Sequence, residues 1–174
     1  MTDIEKLIAA ADAPAGFQPF GVDVKKDGMS DMGPVDGFAH TIAPLFITMR
    51  DDMPVFGFRV MQRHCNPMMI CHGGMMMAVM DMALGIATHA VSKTTKFTPS
   101  VNLTYDFLKP APLGIWLESR IEMLEARKRL AFGNAYLEGP DGPVMRCNGI
   151  MKIPSEGGQD MGAKALDFDT LSKS

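Results

Sequence analysis

The stretch Gly73-Gly74-Met75-Met76-Met77-Ala78-Val79-Met80-Asp81-Met82-Ala83-Leu84-Gly85-Ile86-Ala87-Thr88-His89-Ala90-Val91 carries a single charged side chain, Asp81. Read at the helical repeat, residues 75–91 are apolar on nearly every side, which predicts a helix buried on most of its faces. Gly73 and Gly74 mark the point where a loop becomes that helix. A helix of this kind needs an apolar layer to lie against, and the flanking sequence supplies one.

Upstream, residues 46–49 and 55–61 flank Asp51-Asp52-Met53-Pro54, which predicts a hairpin turn between two strands. Downstream, Val101, Leu103, Tyr105 and Phe107 alternate with Ser100, Asn102, Thr104 and Asp106, a period of two that Pro110 and Pro112 close. In the next strand Ile115, Leu117, Ile121 and Met123 share one face, opposite Trp116, Glu118, Arg120 and Glu122. The basic turn Arg127-Lys128-Arg129 leads into 130–138, and Asp141-Gly142 supplies a turn before 144–153. Hairpin, long apolar helix, then antiparallel meander is an α+β order, with a curled antiparallel sheet wrapped around one long central helix.

At the N-terminus, Ile4, Leu7, Ile8 and Ala11 recur at helical spacing behind Asp3. Residues 14–44 are rich in glycine, proline and aspartate. They read as an extended arm lying on the domain surface or as a lid over a substrate pocket. The domain organisation is therefore a helix and arm over 1–44, one domain over 45–154, and a flexible polar tail over 155–174.

A chain of 174 residues holds one well-packed domain, and 47% hydrophobic content is that of a globular protein. A net charge of -3 argues against a nucleic-acid partner, since Arg127-Lys128-Arg129 is the only dense basic run. The apolar stretch over 75–87 is broken by Asp81 and falls short of the roughly 20 residues of a membrane span. The N-terminus lacks the basic-then-apolar pattern of a signal peptide. Three cysteines without framework spacing fit a reducing compartment. The expectation is a cytoplasmic protein with no membrane partner.

The candidate chemistry lies in His64-Cys65-Asn66-Pro67-Met68-Met69-Ile70-Cys71-His72-Gly73-Gly74 and in Asp81. A carboxylate among hydrocarbon must pair, shift its pKa or face a polar cleft. Asp81 is thus either catalytic or a structural partner, His89 being two turns on. The first N–H groups of a helix lack internal acceptors and sit at the positive end of its dipole, and glycine lets a carbonyl approach closely. Gly73 and Gly74 therefore offer an oxyanion donor, although glycine at a helix start is also a common turn device. Asn66 either orients a water or turns the loop into Pro67. His72 either reaches the reacting group or fixes the loop backbone. His64, Cys65, Cys71 and His72 are all zinc-ligating types, but five residues between the cysteines and two adjacent His/Cys pairs suit one tetrahedron poorly, so no metal is expected.

Taken together, Asn66-Pro67, Cys71-His72-Gly73-Gly74, Asp81-Met82-Ala83, Val101-Asn102-Leu103-Thr104-Tyr105, Lys109-Pro110-Ala111 and Leu130-Ala131-Phe132 resemble the phenylacetic-acid-degradation type of hotdog-fold acyl-CoA thioesterase. The resemblance spans roughly 45–153. It implies a homodimer whose two sheets join, often paired again into a tetramer, with active sites at the dimer interface. It further implies that the Gly73 N–H polarises the thioester carbonyl beside Asn66, while Asp81 of the other subunit acts as general base or nucleophile. A serine or threonine of the following strand maps to Thr98, and Arg127, Lys128 and Arg129 are candidates to meet coenzyme A phosphates. No cofactor is implied beyond the coenzyme A of the substrate. The rival functions are a non-catalytic acyl-CoA-binding sensor, which would need an output module, and a hotdog dehydratase or hydratase, which the glycine pair before the helix fits less well.

Overall fold

The computed structural model describes residues 3–21, 29–30, 33–34 and 37–155. The tail expected over 155–174 lies outside the described residues from 156 onward. In chain order the elements are α1 (Asp3–Ala11), β1 (Gln18–Phe20), the short pair β2 (Met29–Ser30) and β3 (Gly33–Pro34), α2 (Phe38–Thr41), β4 (Leu45–Arg50) and β5 (Met53–Arg59). A 3-10 turn (Gln62–His64) leads to α3 (Gly73–Ser92), and then follow β6 (Ser100–Phe107), β7 (Trp116–Ala126), β8 (Leu130–Gly139) and β9 (Gly142–Lys152). Seven strands form one antiparallel sheet in the order β1-β4-β5-β7-β8-β9-β6. The hotdog arrangement is therefore present, a curled sheet around one long helix. The chain leaves β5, crosses the sheet as α3, and returns as β6 on the far edge, beyond β9.

What seats α3 is a knob and a hole. Gly133 of β8 and Gly149 of β9 are register partners. A Cβ on Gly133 would come within 3.0 Å of Leu84 Cδ2, and one on Gly149 within 2.8 Å of Leu84 Cδ1. Leu84 thus fills the space that the two missing side chains leave. Val79, Met80, Ala83, Leu84 and Ala87 of α3 have no exposed surface. Phe56 and Phe58 of β5, Leu117 of β7, Ala135 and Leu137 of β8, and Met145 and Cys147 of β9 complete the core.

Two expectations from periodicity need correction, and both for the same reason. Val101 is 59% exposed and Met123 is 42% exposed, although alternation puts both on the core face. The β6–β9 register shifts between Ser100 and Asn102, and the β7–β8 register shifts between Ile121 and Met123. An extra residue in a strand turns the side chains beyond it to the other face. In β7 the core side is therefore continued by Leu124 and Ala126. In β6 the shift turns Ser100 towards α3, with consequences for the site.

The helix is also longer than the apolar stretch read from sequence. By length and composition alone, α3 could cross a membrane, but here the sheet supplies its apolar partner. It is not buried all round: Gly74, Met77, Asp81 and Val91 are exposed.

The opposite face of the sheet is polar towards its middle, with cross-strand pairs Arg50–Glu118 at 2.6 Å, Arg120–Glu138 at 2.9 Å and Arg146–Asp106 at 2.6 Å. Near β4 and β5 the arm covers this face. The Trp116 ring occupies the place of a Gly57 side chain, Phe17 packs edge-on against Trp116, and Arg59 donates to Ala11 O and Asp12 O. The first part of the arm is thus a cover on the outer face.

The knob and hole can be tested by urea unfolding. Leu84→Ala should cost about 2–5 kcal/mol, and Gly149→Ala about 1–3 kcal/mol through overpacking. Because the same space is involved, the double variant should cost clearly less than the sum. Additive losses would show that Leu84 and Gly149 do not share a cavity.

Candidate active site

Residues 64–72 form a tight hairpin that delivers the chain into α3. Cys65 and Cys71 are opposed across it, held by Asn66 N–H to Ile70 O at 2.9 Å and His72 N–H to His64 O at 2.7 Å. Asn66 Oδ1 accepts from Met68 N–H at 2.9 Å, and the tip closes with Met69 at positive φ. The side-chain oxygen of Asn66 is therefore engaged in shaping the turn, as loop residues of this type do. Its backbone bond to Ile70 O sets Asn66 beside the segment 70–72 that leads into α3.

His72 is the N-cap of α3. Its Nδ1 accepts from Gly74 N–H at 2.9 Å, and its carbonyl accepts from Met75 N–H at 2.9 Å and Met76 N–H at 3.3 Å. That leaves the Gly73 N–H as the one donor of the first turn with no acceptor among the described residues. It points out of the positive end of a 20-residue helix. Gly73 needs to be glycine for a second reason. A Cβ there would lie 2.9 Å from the Phe107 ring, which packs over it from the end of β6.

Asp81 lies at the other end of β6. Ser100 Oγ donates a short hydrogen bond to Asp81 Oδ1, which the shifted register at Ser100 makes possible. Tyr105 OH donates to Met77 O at 3.3 Å, one turn before Asp81, and so ties this part of α3 to β6. Burial holds the Tyr105 phenol well above its ordinary range, with Cys147 and Asp81 adding to the shift. Tyr105 thus remains a neutral donor.

The alternatives that the sequence leaves open resolve in different ways. His89 is buried and its Nδ1 faces Thr94 O at 3.0 Å, so it is not the partner of Asp81. Thr98 is buried and donates to Gly85 O at 2.9 Å, which fixes the loop after α3 and does not reach Asp81. The hydroxyl at Asp81 is that of Ser100. No residue pattern announces the bulge that turns it inward; only the run Thr98-Pro99-Ser100 at the strand start points to this neighbourhood. The zinc-type residues of the hairpin are engaged separately. His64 Nε2 donates to Ile42 O at 3.1 Å, Cys65 Sγ donates to Met61 O and Cys71 Sγ to His72 O. Among the described residues no cluster of three or more His, Cys, Asp or Glu could hold a metal ion.

The basic turn lies at the Asp81 end of the sheet. Ala131 pairs with Met151, and Met151 with Ser100, so the start of β8 stands two strand spacings, about 10 Å, from Ser100. Arg127 is exposed and pairs with Glu125 at 2.5 Å; Lys128 and Arg129 are exposed beside it.

Within one chain, Gly73 and Asp81 are separated by eight helical residues, a rise of about 12 Å. The two cannot act on one carbonyl from the same helix. The chain thus holds two candidate half-sites, one of Gly73 with His72 and Asn66 and the other of Asp81 with Ser100. They stand at opposite ends of the edge strand β6.

The family model described as thioesterase superfamily matches residues 68–143, which contain His72, Gly73, Asp81, Ser100 and the basic turn but not Asn66. A candidate esterase of Pseudomonas aeruginosa is 29% identical over 100 residues, 58% of this chain and 75% of that protein. Among solved structures, a variant of the phenylacetic acid degradation protein PaaI from Thermus thermophilus superposes with a TM-score of 0.57 at 18% identity. It covers 63% of this chain and 93% of that one. A hypothetical thioesterase of Streptococcus pneumoniae, solved with coenzyme A, gives a TM-score of 0.57 at 19% identity over 67% of this chain and 90% of that one.

The thiols are not nucleophiles at neutral pH. Burial pushes Cys71 up to about 12, with Cys65 adding to it, and pushes Cys147 up to about 12, with Asp81 adding. Iodoacetamide at about pH 7.5 should leave both unmodified in the folded protein while labelling all three cysteines in urea. The same shifts fix the alkaline behaviour. Above the ordinary thiol value of 9.0 the unfolded chain loses protons that the folded chain keeps, so stability should fall as pH rises towards 12. Peptide mass mapping and urea midpoints check the two; rapid labelling of folded Cys71 would contradict the assignment.

Proposed function

We propose that this chain, whose residues 68–143 match the thioesterase superfamily model, is an acyl-CoA thioesterase, hydrolysing a thioester to a free carboxylic acid and coenzyme A. The observation that carries the reading is the placement of the two half-sites on β6. Ser100, at one end, holds Asp81; Phe107, at the other, packs on Gly73. Among the described residues the outer edge of β6 has no strand beside it. If two copies pair antiparallel along this edge about a two-fold between Leu103 and Thr104, Ser100 of each copy stands opposite Phe107 of the other. Asp81 of each copy then comes beside Gly73 of the other, and two complete sites form. The exposed Val101, Phe107 and Met77 favour burial in such a homodimer.

In each site the Gly73 N–H, at the positive end of α3, donates to the thioester oxygen as negative charge develops there. Asp81 takes a proton from water, and the hydroxide attacks the carbonyl carbon; alternatively its carboxylate attacks directly, and water later hydrolyses the acyl-Asp81 anhydride that results. The C–S bond then breaks, and coenzyme A leaves as a thiolate that takes up a proton. Ser100 holds one Asp81 oxygen and aims the other. Asn66 shapes the loop that positions His72 and Gly73. Gly74 completes the cap. Arg127, Lys128 and Arg129, exposed at the Asp81 end of the sheet, are the candidates to meet coenzyme A phosphates. No metal or further cofactor has a place in this scheme, and a dimer of dimers is compatible with it.

Asp81→Asn should lower turnover by about 10²–10⁴, with acyl-CoA binding changed only a few fold, because the amide cannot take the proton. Free-thiol release and calorimetry measure the two. Wild-type turnover in this variant would make Asp81 structural, and tight binding without turnover in the wild type would favour a sensor. Gly73→Pro removes the donor at a position whose backbone accepts proline, displaces the Phe107 ring that a Cβ there would meet, and should be equally impaired. Mixed refolding of Asp81→Asn with Gly73→Pro gives heterodimers in which one site is intact. Activity should then recover to about one quarter of wild type. No recovery would argue for a site within one chain.

A further inference from the structure

A cleft of about 400 Å³ opens beside the α3 N-terminus, lined by Phe38, Ile42, Arg63, His64, Cys65, His72, Gly74 and Met75. Its volume is towards the lower end of small-molecule pockets, about 300–1,000 Å³. An acyl group of modest size fits it, and a coenzyme A nucleotide in addition does not. His72, Gly74 and Met75 surround Gly73 in the chain, so a carbonyl at the Gly73 N–H has this cleft within reach of its acyl substituent.

The opposite wall belongs to the arm. Arg63 Nη2 donates to Thr41 O at 2.6 Å, and His64 Nε2 donates to Ile42 O at 3.1 Å. Both bonds hold the last carbonyls of α2 against the hairpin. His64 Nδ1 accepts from Met61 N–H at 3.1 Å, and His72 Nδ1 is engaged by Gly74 N–H. Arg63 Nη2, both His64 nitrogens and His72 Nδ1 are thus occupied with backbone, and Phe38, Ile42 and Met75 are the apolar side chains that can meet a ligand. Phe38 is 68% exposed, a large apolar ring with little over it. Burial of such a ring by a bound acyl chain is favourable. Phe38, Ile42, Arg63, His64 and Cys65 all precede residue 68, where the family match begins.

We propose that this cleft receives the acyl group, and that Phe38 and Ile42 of the arm select uncharged acyl groups of medium length or with a single aromatic ring. The assignment rests on the thioesterase reading above. The arm is then a specificity wall on its 37–44 side, while its first part covers the outer face of the sheet.

Free-thiol release across acetyl-, hexanoyl-, octanoyl-, phenylacetyl- and palmitoyl-CoA tests it, with the ratio of kcat/KM for hexanoyl to acetyl as the readout. Wild type should favour hexanoyl, octanoyl or phenylacetyl over both acetyl and palmitoyl. Phe38→Ala, which removes the contact, and Ile42→Trp, which fills the cleft, should each lower the ratio by about tenfold. Phe132→Ala, a truncation of equal size on the outer face, should leave the ratio at the wild-type value. An unchanged ratio in both arm variants, or an equal fall for every substrate, would overturn the assignment and leave the thioesterase reading standing. If the wild type releases thiol from no member of the panel, the thioesterase reading falls and this assignment falls with it.

Discussion

Leu84, lying over the facing glycines Gly133 and Gly149, sets the height of the helix above the sheet. Everything in the site is measured from that contact. With α3 this close, Thr98 can reach Gly85 O, Tyr105 can reach Met77 O, and Ser100 can reach Asp81. A larger side chain at either glycine would lift the helix, and these three bonds would lengthen together. The hydrogen bonds supply direction, but the distance at which they form is a packing matter: a branched side chain on the helix meets two absent ones on the sheet.

The helix and the strands were legible because their periods differ and their lengths are long. Residues 75–91 repeat as a buried helix and 101–107 as a half-buried strand, and the structure has α3 and β6 in those places. The helix start was legible too, since Gly73-Gly74 stands directly before an apolar run, whereas the cap by His72 was not read. What periodicity could not carry is a one-residue register shift. At Ser100 and again after Ile121, the bulge reverses the facing that strict alternation assigns, and in the first case it moves a hydroxyl to the candidate base. Thr98, the hydroxyl that the sequence suggested, bonds Gly85 O instead of Asp81. The cleft was illegible for another reason: Phe38 and His72 are brought together by long-range bonds from Arg63 and His64 to the arm, which have no local signature.

On the proposed reading, the division of the site follows from the geometry of a helix. A donor at the first residue of α3 and a base two turns later differ by about 12 Å in height. A single helix can carry both groups but cannot use both on one atom. Strand β6 runs beside that helix, touching the donor end through Phe107 and the base end through Ser100. Antiparallel pairing of two such strands reverses one copy against the other and exchanges the ends. The free sheet edge, ordinarily a liability, becomes the element that completes the chemistry. A parallel pairing would place like ends together and leave two incomplete sites.

The arm and the 64–72 hairpin are also one mechanical unit. Arg59, at the end of β5, holds Ala11 O and Asp12 O on the outer face, and the turn that follows it holds Thr41 O and Ile42 O beside the cleft. The chain then passes from His64 through Cys65 directly to Asn66. A shift of α2 under a ligand would therefore pull on the backbone that shapes Asn66 and caps Gly73. Burial keeps His64 below the ordinary imidazole range, so its ring remains neutral and its link to Ile42 O persists near neutral pH. On the proposed reading, recognition of the acyl group and placement of the carbonyl donor are coupled through five consecutive residues, Gln62 to Asn66, with no need for motion of the sheet.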